Sequence, residues 1–431
     1  ASNNIINSEK NPQTSAIKVE DGNNYNILVS GNTITGGFNG IDFKGEEGNP
    51  SPANILTGNT LLNQYHSGIF MQYQKWQKII KNRVSHPGPI ENLWIGIDLY
   101  DCAGNFDSSS LIVNNMIDYH ATRQSAGLAM FNCRYQNIFH NNIHVHGSSS
   151  ESRTLNLQDG CSMIYVHNNV LSNTAGGVLI YAPDLSSKYL DYNVLHATED
   201  RFIYVGGWID DLAAWNDAGK GANSFVMDPL FTSDSDLHTN QLLLFGLGMP
   251  MPEIADDFDG DARDVENPII GADVIVTDVC SSPLTGVIPI GAGETYESIN
   301  EALTALIVCG MEGSLVFEIA PGTYNDQILL RRDYPGITPE DSIIFRSSSG
   351  NAEDVTITCD ASKESNYVIK LDGLDNFVLQ NITLEAQNSQ YGRLIEISNH
   401  VNNCMFDGNI FKGIETQEDN DSLVLIYYHP E

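Results

Sequence analysis

The chain has 431 residues, 41 % of them hydrophobic, which is enough for two domains with real cores. Its formal net charge of -34, from 55 acidic against 21 basic residues, repels phosphate backbones and excludes nucleic acid as an expected partner. No apolar run approaches the roughly 20 residues of a membrane-spanning helix, and the opening ASNNIINSEK is neither a signal peptide nor a transit peptide.

From the N-terminus, seven segments align: NILVSGNTI, NILTGNTLL, KIIKNRVSH, LIVNNMIDY, NIFHNNIHV, MIYVHNNVL and KYLDYNVLH. Each sets an Asn two residues before an apolar residue, at Asn32, Asn59, Asn82, Asn115, Asn141, Asn168 and Asn193. The separations are 27, 23, 33, 26, 27 and 25 residues. A second short run follows each one: GIDF, GIFMQY, IGIDLY, GLAMF, TLNLQ, GVLIY and FIYVG. These runs are too short for helices and alternate with period two, as strands do. A repeat of this size cannot bury its apolar side alone, whereas stacked repeats share a continuous core. The pattern predicts an all-β fold, a right-handed parallel β-helix; the LxxLxL spacing of leucine-rich repeats is missing. Asn suits the recurring corner because it tolerates left-handed backbone and its amide can bond to the amide one coil away. Coils would stack about 4.8 Å apart.

Period two assigns the faces. Ile41, Phe43, Ile69, Met71, Ile97, Leu99, Leu128, Met130, Leu155, Leu157, Val178 and Ile180 are expected inside. Asp42, Phe70, Asp98, Ala129, Asn156, Leu179 and Tyr204 are expected in one outward column, with Tyr100, Phe131 and Tyr181 in the next. Outward aromatics on such a face either stack on sugar rings or lie under a long loop. Phe70, Tyr100, Phe131, Tyr181 and Tyr204 are therefore the candidate carbohydrate contacts. The seven cysteines contain no CxxC pair. Cys102, Cys133 and Cys161 recur near the repeat period, as one disulfide or a buried thiol ladder, and Cys280 and Cys309 form a second candidate pair.

After residue 205 the periodicity fades. Leu212 to Trp215 gives L-x-x-W, and Asp228 to Phe231 gives D-P-L-F. Asp257, Asp259, Gly260 and Arg263 give D-x-D-G-x-x-R, followed by Gly271, Ala272 and Asp273. This order resembles the terminal region of secreted pectin-lyase-like β-helix proteins over roughly residues 1 to 275, departing at Val274, where the family has Glu. The resemblance implies that the stretch is a terminal cap over exposed strand edges. Asp257, Asp259 and Asp261 also match positions 1, 3 and 5 of an EF-hand. Ala262 at position 6 and Pro268 at position 12 break that match, which leaves only a looser Ca²⁺ site.

Residues 276–292, with Cys280, Pro283 and Pro289, read as a linker. In ETYESINEALTAL, Ile299, Ala302, Leu303, Leu306 and Ile307 share a helical face. The following SLVFEIAPGTYNDQILL resembles the start of pectinesterase-like and pectate-lyase-like β-helices. Asn381 and Asn409 mark further rungs, so residues 293–431 are expected to begin a second, incomplete β-helix in tandem with the first, 1–275. The absence of capping patterns at both ends predicts a piece of a longer chain. It resembles large secreted or surface proteins of the Bacteroidetes type.

Resemblance to pectate-lyase-like enzymes implies an Arg or Lys base and carboxylate-held Ca²⁺. The basic candidates are Lys75, Lys78, His120, Arg123, His140, His144, His146 and Arg153, expected mostly in water-facing turns, with His144 and His146 on one side of a strand. No convergent catalytic set is evident. The expected function is a non-catalytic extracellular or cell-surface module, an adhesin, stalk or glycan-binding solenoid needing no cofactor. Its partners would be polysaccharide or other surface and secretion proteins. A Ca²⁺-dependent polysaccharide lyase and a structural filament passenger are the alternatives.

Overall fold

The computed structural model describes residues 4–7, 14–20, 24–198, 203–210, 212–217, 219–239, 241, 244–275, 282–332, 334–362, 365–416 and 420–428. They fall in two compact units, 1–276 and 277–431.

In the first unit successive coils build three sheets of seven, nine and nine strands, all parallel except for the last strand of the third, Trp208–Ile209, which folds back antiparallel. The coil running from Leu111 visits Ser110–Val113 in the first sheet, Met116–Ala121 in the second and Ser125–Phe131 in the third. This is a right-handed parallel β-helix. Its corner between first and second sheets is built by two adjacent residues with different tasks. The first takes the left-handed turn: Gly31, Gly58, Lys81, Asn114, His140, Asn168 and Tyr192 all have φ between 51° and 63°. The second points inward and carries the amide ladder. Side-chain Nδ2 to Oδ1 bonds of 2.9–3.0 Å link Asn4, Asn32, Asn59, Asn82, Asn115, Asn141, Asn169 and Asn193. Ser224 Oγ ends it by accepting the Asn193 amide at 3.1 Å. The sixth ladder member expected from sequence, Asn168, is the left-handed residue instead, and Asn169 holds the rung.

The core cluster contains most of the residues expected inside, Ile41 through Ile180. Leu179, expected outside, lies in the core, fully buried. Period two breaks at the start of the third-sheet strands because Gly40, Gly68, Gly96 and Gly127 also face inward. A Cβ on any of them would come within 2.2–2.6 Å of Leu61, Val84, Ile117 or Ile143 on the second sheet. Register places Leu179 in this glycine column, between the pairs Arg153–Val178 and Leu155–Ile180. Val178, expected inside, stands level with Arg153 and outside the core cluster. Cys102, Cys133 and Cys161 are buried free thiols on successive coils, a thiol ladder and not a disulfide.

Trp215, on the short helix α1 (Leu212–Asp217), is 1 % exposed and packs into the core cluster. The aspartate-rich stretch is not an end cap. It runs along the flank and docks on the left-handed corners. Lys81 pairs with Asp256 at 2.8 Å, Asn114 donates to Asp256 O at 2.8 Å, and Arg263 Nη2 donates to Asn114 Oδ1 at 3.2 Å. Asn168 exchanges two 2.8 Å bonds with the Met249 backbone. Apolar contacts complete the seam: Val170 and Val194 meet Leu244, Leu247 and Ile270, and Phe139 meets Met251 and Ile254.

The second unit has parallel sheets of five, four and four strands. The expected linker contains its first strand, Leu284–Ile290, which pairs with Met311–Ile319. Pro289 is tolerated because this strand lies at the sheet edge. Helix α2 (Ile299–Cys309) opens with a Ser298/Glu301 capping box and buries Ile299, Ala302, Leu303, Leu306 and Ile307. Cys309 is disulfide-bonded; Cys280 lies outside the described residues. The second-unit rungs are offset from expectation. Asn381 is left-handed and faces Gly408, while Asn409 Oδ1 accepts the Ile382 amide at 3.0 Å.

Candidate functional site

The third sheet of the first unit has a flat outer face with two groups of rings. One outward column runs Asp42, Phe70, Asp98, Ala129, Asn156, Tyr181, Tyr204, and the next runs Gln72, Tyr100, Phe131. Tyr181 thus takes the place expected for Leu179. Phe70, Tyr100 and Phe131 form a diagonal run with centroids 5.8 and 5.7 Å apart. Two coils on, Tyr181 and Tyr204 stack at 5.0 Å, and Trp208 meets Tyr204 edge-on at 5.2 Å. The Arg153 guanidinium lies 3.6 Å from the Tyr181 ring centre, and its Nη1 donates to Asn156 Oδ1 at 3.0 Å. Phe131 and Trp208 are 41 % and 47 % exposed, so the ends of both groups reach water. Trp208 was missed in the sequence because it sits on a two-residue strand that folds back antiparallel on Ile203–Tyr204. The only signal was an indole after two glycines.

Asp98 lies among these rings at 2 % exposure. Burial pushes its carboxyl up to about 7. Asp42, two coils away, accepts from Ser15 Oγ at 2.8 Å and Asn39 Nδ2 at 3.1 Å. The strip therefore offers aromatic faces, one cation held flat, and hydrogen-bonding groups at its centre.

The three aspartates weighed as a Ca²⁺ site are not brought together as ligands. Asp257 is fully buried, and its Oδ1 accepts the amides of Asp259, Gly260 and Asp261 at 2.8–3.0 Å while Oδ2 accepts that of Val274 at 2.8 Å. Four backbone donors occupy the lone pairs a cation needs. Asp259 turns instead to His238 Nε2, at 2.8 Å. His238, Asp259 and Asp273 do place one ligand atom each within 4.8 Å of one another. His238 also bonds Asp236 through Nδ1. Burial alone would lower its pKa, but these two hydrogen bonds outweigh burial and raise it.

Of the basic candidates, His120, His144 and His146 come together, His146 lying 5.0 Å from His120 and 5.7 Å from His144 between ring centres, and the others scatter. Lys75 lies over Trp76, and Lys78 and Arg123 are exposed. His140 is fully buried between the Gly271 carbonyl at 3.2 Å and the Asn168 amide at 2.9 Å, a structural role. His144 and His146 share one strand face as expected, but they are buried and do not sit in water-facing turns.

A model of the NosD family, described as periplasmic copper-binding protein, matches residues 1–159. No curated protein matches the chain. Among solved structures, the PL6 family alginate lyase AlyGC aligns at 11 % identity over 94 % of this chain and 53 % of its own, with a TM-score of 0.29. A point mutant of that lyase aligns at 11 % identity over 96 % and 77 %, with a TM-score of 0.21. The chain thus spans about half the length of the first of these, and such scores carry no argument about activity. What the coordinates show is the architecture, that of the parallel β-helix repeat proteins.

Proposed function

We propose that this chain is an exported glycan-recognition module that binds a polysaccharide along the outer face of the third sheet. The observation that carries this reading is the pair of ring groups, Phe70–Tyr100–Phe131 and Tyr181–Tyr204–Trp208, in mutual contact on a flat sheet and open at their ends. Sugar rings present axial C–H faces that pack on aromatic faces, and rigid aromatics lose little conformational entropy on binding. Export is supported by the Cys309 disulfide, a bond that persists in oxidising compartments, and by the periplasmic description of the matching family. That description also names copper. The strip's rings, Asp98 and Arg153 offer copper no imidazole or thiol.

A glycan array of neutral and uronate oligosaccharides tests the proposal. The expected result is retention of at least one class, weakened about tenfold or more by Tyr100→Ala with Phe131→Ala, which corresponds to the ~1–1.5 kcal/mol of a lost ring contact. Release of an unsaturated uronate absorbing in the ultraviolet would instead favour the lyase reading. Arg153 would be the first base to examine, although here it is committed to Tyr181 and Asn156.

A further inference from the structure

In the second unit, successive coils turn from the four-stranded sheet holding Ile328–Arg331, Ile369–Asp372 and Ile395–Ser398 into the five-stranded sheet holding Ile343–Ser347, Phe377–Gln380 and Met405–Asp407. The corner 332–342 is the longest of these turns. Asn376 ties it to the next coil, its Nδ2 donating to Pro339 O at 2.8 Å and to Asp341 O at 3.1 Å. At these corners lies a cavity of about 450 Å³ whose walls include Arg332, Ile337, Pro339, Asp341, Leu374 and Asp375. That volume falls within the roughly 300–1,000 Å³ of small-ligand sites.

The charged groups of this cavity do not neutralise one another. Its carboxylates are anchored by the corners themselves. Asp341 Oδ2 accepts the Thr338 amide and hydroxyl, both at 2.8 Å. Asp375 Oδ1 accepts the Asn402 amide at 2.6 Å and its Nδ2 at 3.1 Å, while Oδ2 accepts nothing among the described residues. Arg332 is exposed and makes neither a hydrogen bond nor an ion pair among the described residues. Its stem passes close to Gly373, where a Cβ would stand 3.2 Å from Arg332 Cδ and 3.4 Å from Nε. One cavity thus presents an open guanidinium, an open carboxylate oxygen, and an apolar wall of Ile337, Pro339 and Leu374.

We propose that this cavity binds a free aliphatic α-amino acid. The planar guanidinium of Arg332 takes the carboxylate through paired hydrogen bonds. Asp375 accepts the ammonium on its open Oδ2, with the Asp341 carboxylate lining the same cavity. The aliphatic side chain leaves water for the wall of Ile337, Pro339 and Leu374. Other small ligands meet fewer of these groups. A neutral sugar leaves both charges unmet, a phosphate brings negative charge to two aspartates, and a divalent cation is repelled by the guanidinium. The cavity lies within the second unit and stands independently of glycan binding by the first.

Isothermal titration of the full chain with L-leucine, L-isoleucine and L-valine tests it, paired with melting curves. At least one of them is expected to bind saturably at one site per chain and to raise the melting temperature. Two fragments of leucine, 3-methylbutylamine without the carboxylate and 4-methylpentanoate without the ammonium, should each bind about tenfold more weakly or worse, because each leaves one charge of the cavity unmet. Arg332→Gln should weaken binding of the amino acid by a similar factor. Because Arg332 is exposed and unpartnered among the described residues, the ligand-free melting temperature should not move, which separates a lost contact from a misfolded chain. Asp375→Asn, which keeps an acceptor for Asn402, should also weaken binding about tenfold. The proposal is overturned if wild type binds none of the three amino acids, if either fragment binds as tightly as leucine, if D-galacturonate binds more tightly than all three, or if Arg332→Gln binds as wild type.

Discussion

Asp98 keeps its proton into neutral pH because its carboxyl is buried among Phe70, Ala129 and Tyr100, with no compensating cation among the described residues. Its folded value, about 7, lies above its ordinary 3.8. The folded chain therefore holds a proton that the unfolded chain releases, and stability falls as pH rises from about 4 to about 7, then levels off. Asp98→Asn removes this dependence. Denaturant midpoints should show the variant more stable than wild type at pH 8 and the difference shrinking towards pH 4. An equal difference at both pH values would mean that the carboxyl does not titrate in this range. A second prediction concerns the amide ladder. Asn141 accepts the backbone and side-chain amides of Asn115 and donates to Asn169, Ile112 and Phe139. Asn141→Ala strands several buried groups, and a loss of about 3–5 kcal/mol in unfolding free energy is expected from the cost of each unmet partner. A loss below ~1 kcal/mol would show that water replaces the rung. At this scale the sequence was informative but imprecise. It named Asn as the corner residue, yet it gave the left-handed turn and the amide bond to one residue, whereas His140–Asn141 and Asn168–Asn169 divide them.

Elements were legible wherever side chains alternate against a core. Ile41 through Leu157 fell on the expected face because each coil repeats the same burial. The alternation failed at Leu179 since it stands in an inward corner column, filled by glycine in four earlier coils and by larger residues only further on. The linker reading failed at Leu284–Ile290, where Pro283 and Pro289 masked an edge strand. The aspartate-rich stretch was legible as a turn but not as a flank clamp. Lateral docking has no period, and the partners of Asn114 and His140 lie more than a hundred residues away. Asp257 organises that clamp by accepting four amides. Asp257→Ala should leave the coils folded but speed amide exchange across residues 256–274, read by hydrogen–deuterium exchange. Unchanged protection there would show that the apolar seam alone holds the segment.

For the whole molecule, charge and periodicity together state an acidic chain whose first unit is a β-helix of stacked coils. The candidate site was half visible. Phe70, Tyr100, Phe131, Tyr181 and Tyr204 were picked from alternation, and all five lie on the third sheet's outer face. Their division into two groups, the guanidinium laid on Tyr181, and Trp208 depend on register and on a fold-back that no local pattern encodes. The flank histidines were visible as a strand pattern, but their burial comes from a hairpin some ninety residues downstream. The central claim is that the third sheet's rings recognise sugar. It is tested most directly by titrating the oligosaccharide that scores highest on the array into wild type and into a Tyr100→Ala/Tyr181→Ala double variant, by calorimetry at pH 7. The account predicts saturable binding to wild type and a loss of at least tenfold in the variant, with its melting curve little changed. Equal affinity in both would place the ligand elsewhere and contradict it.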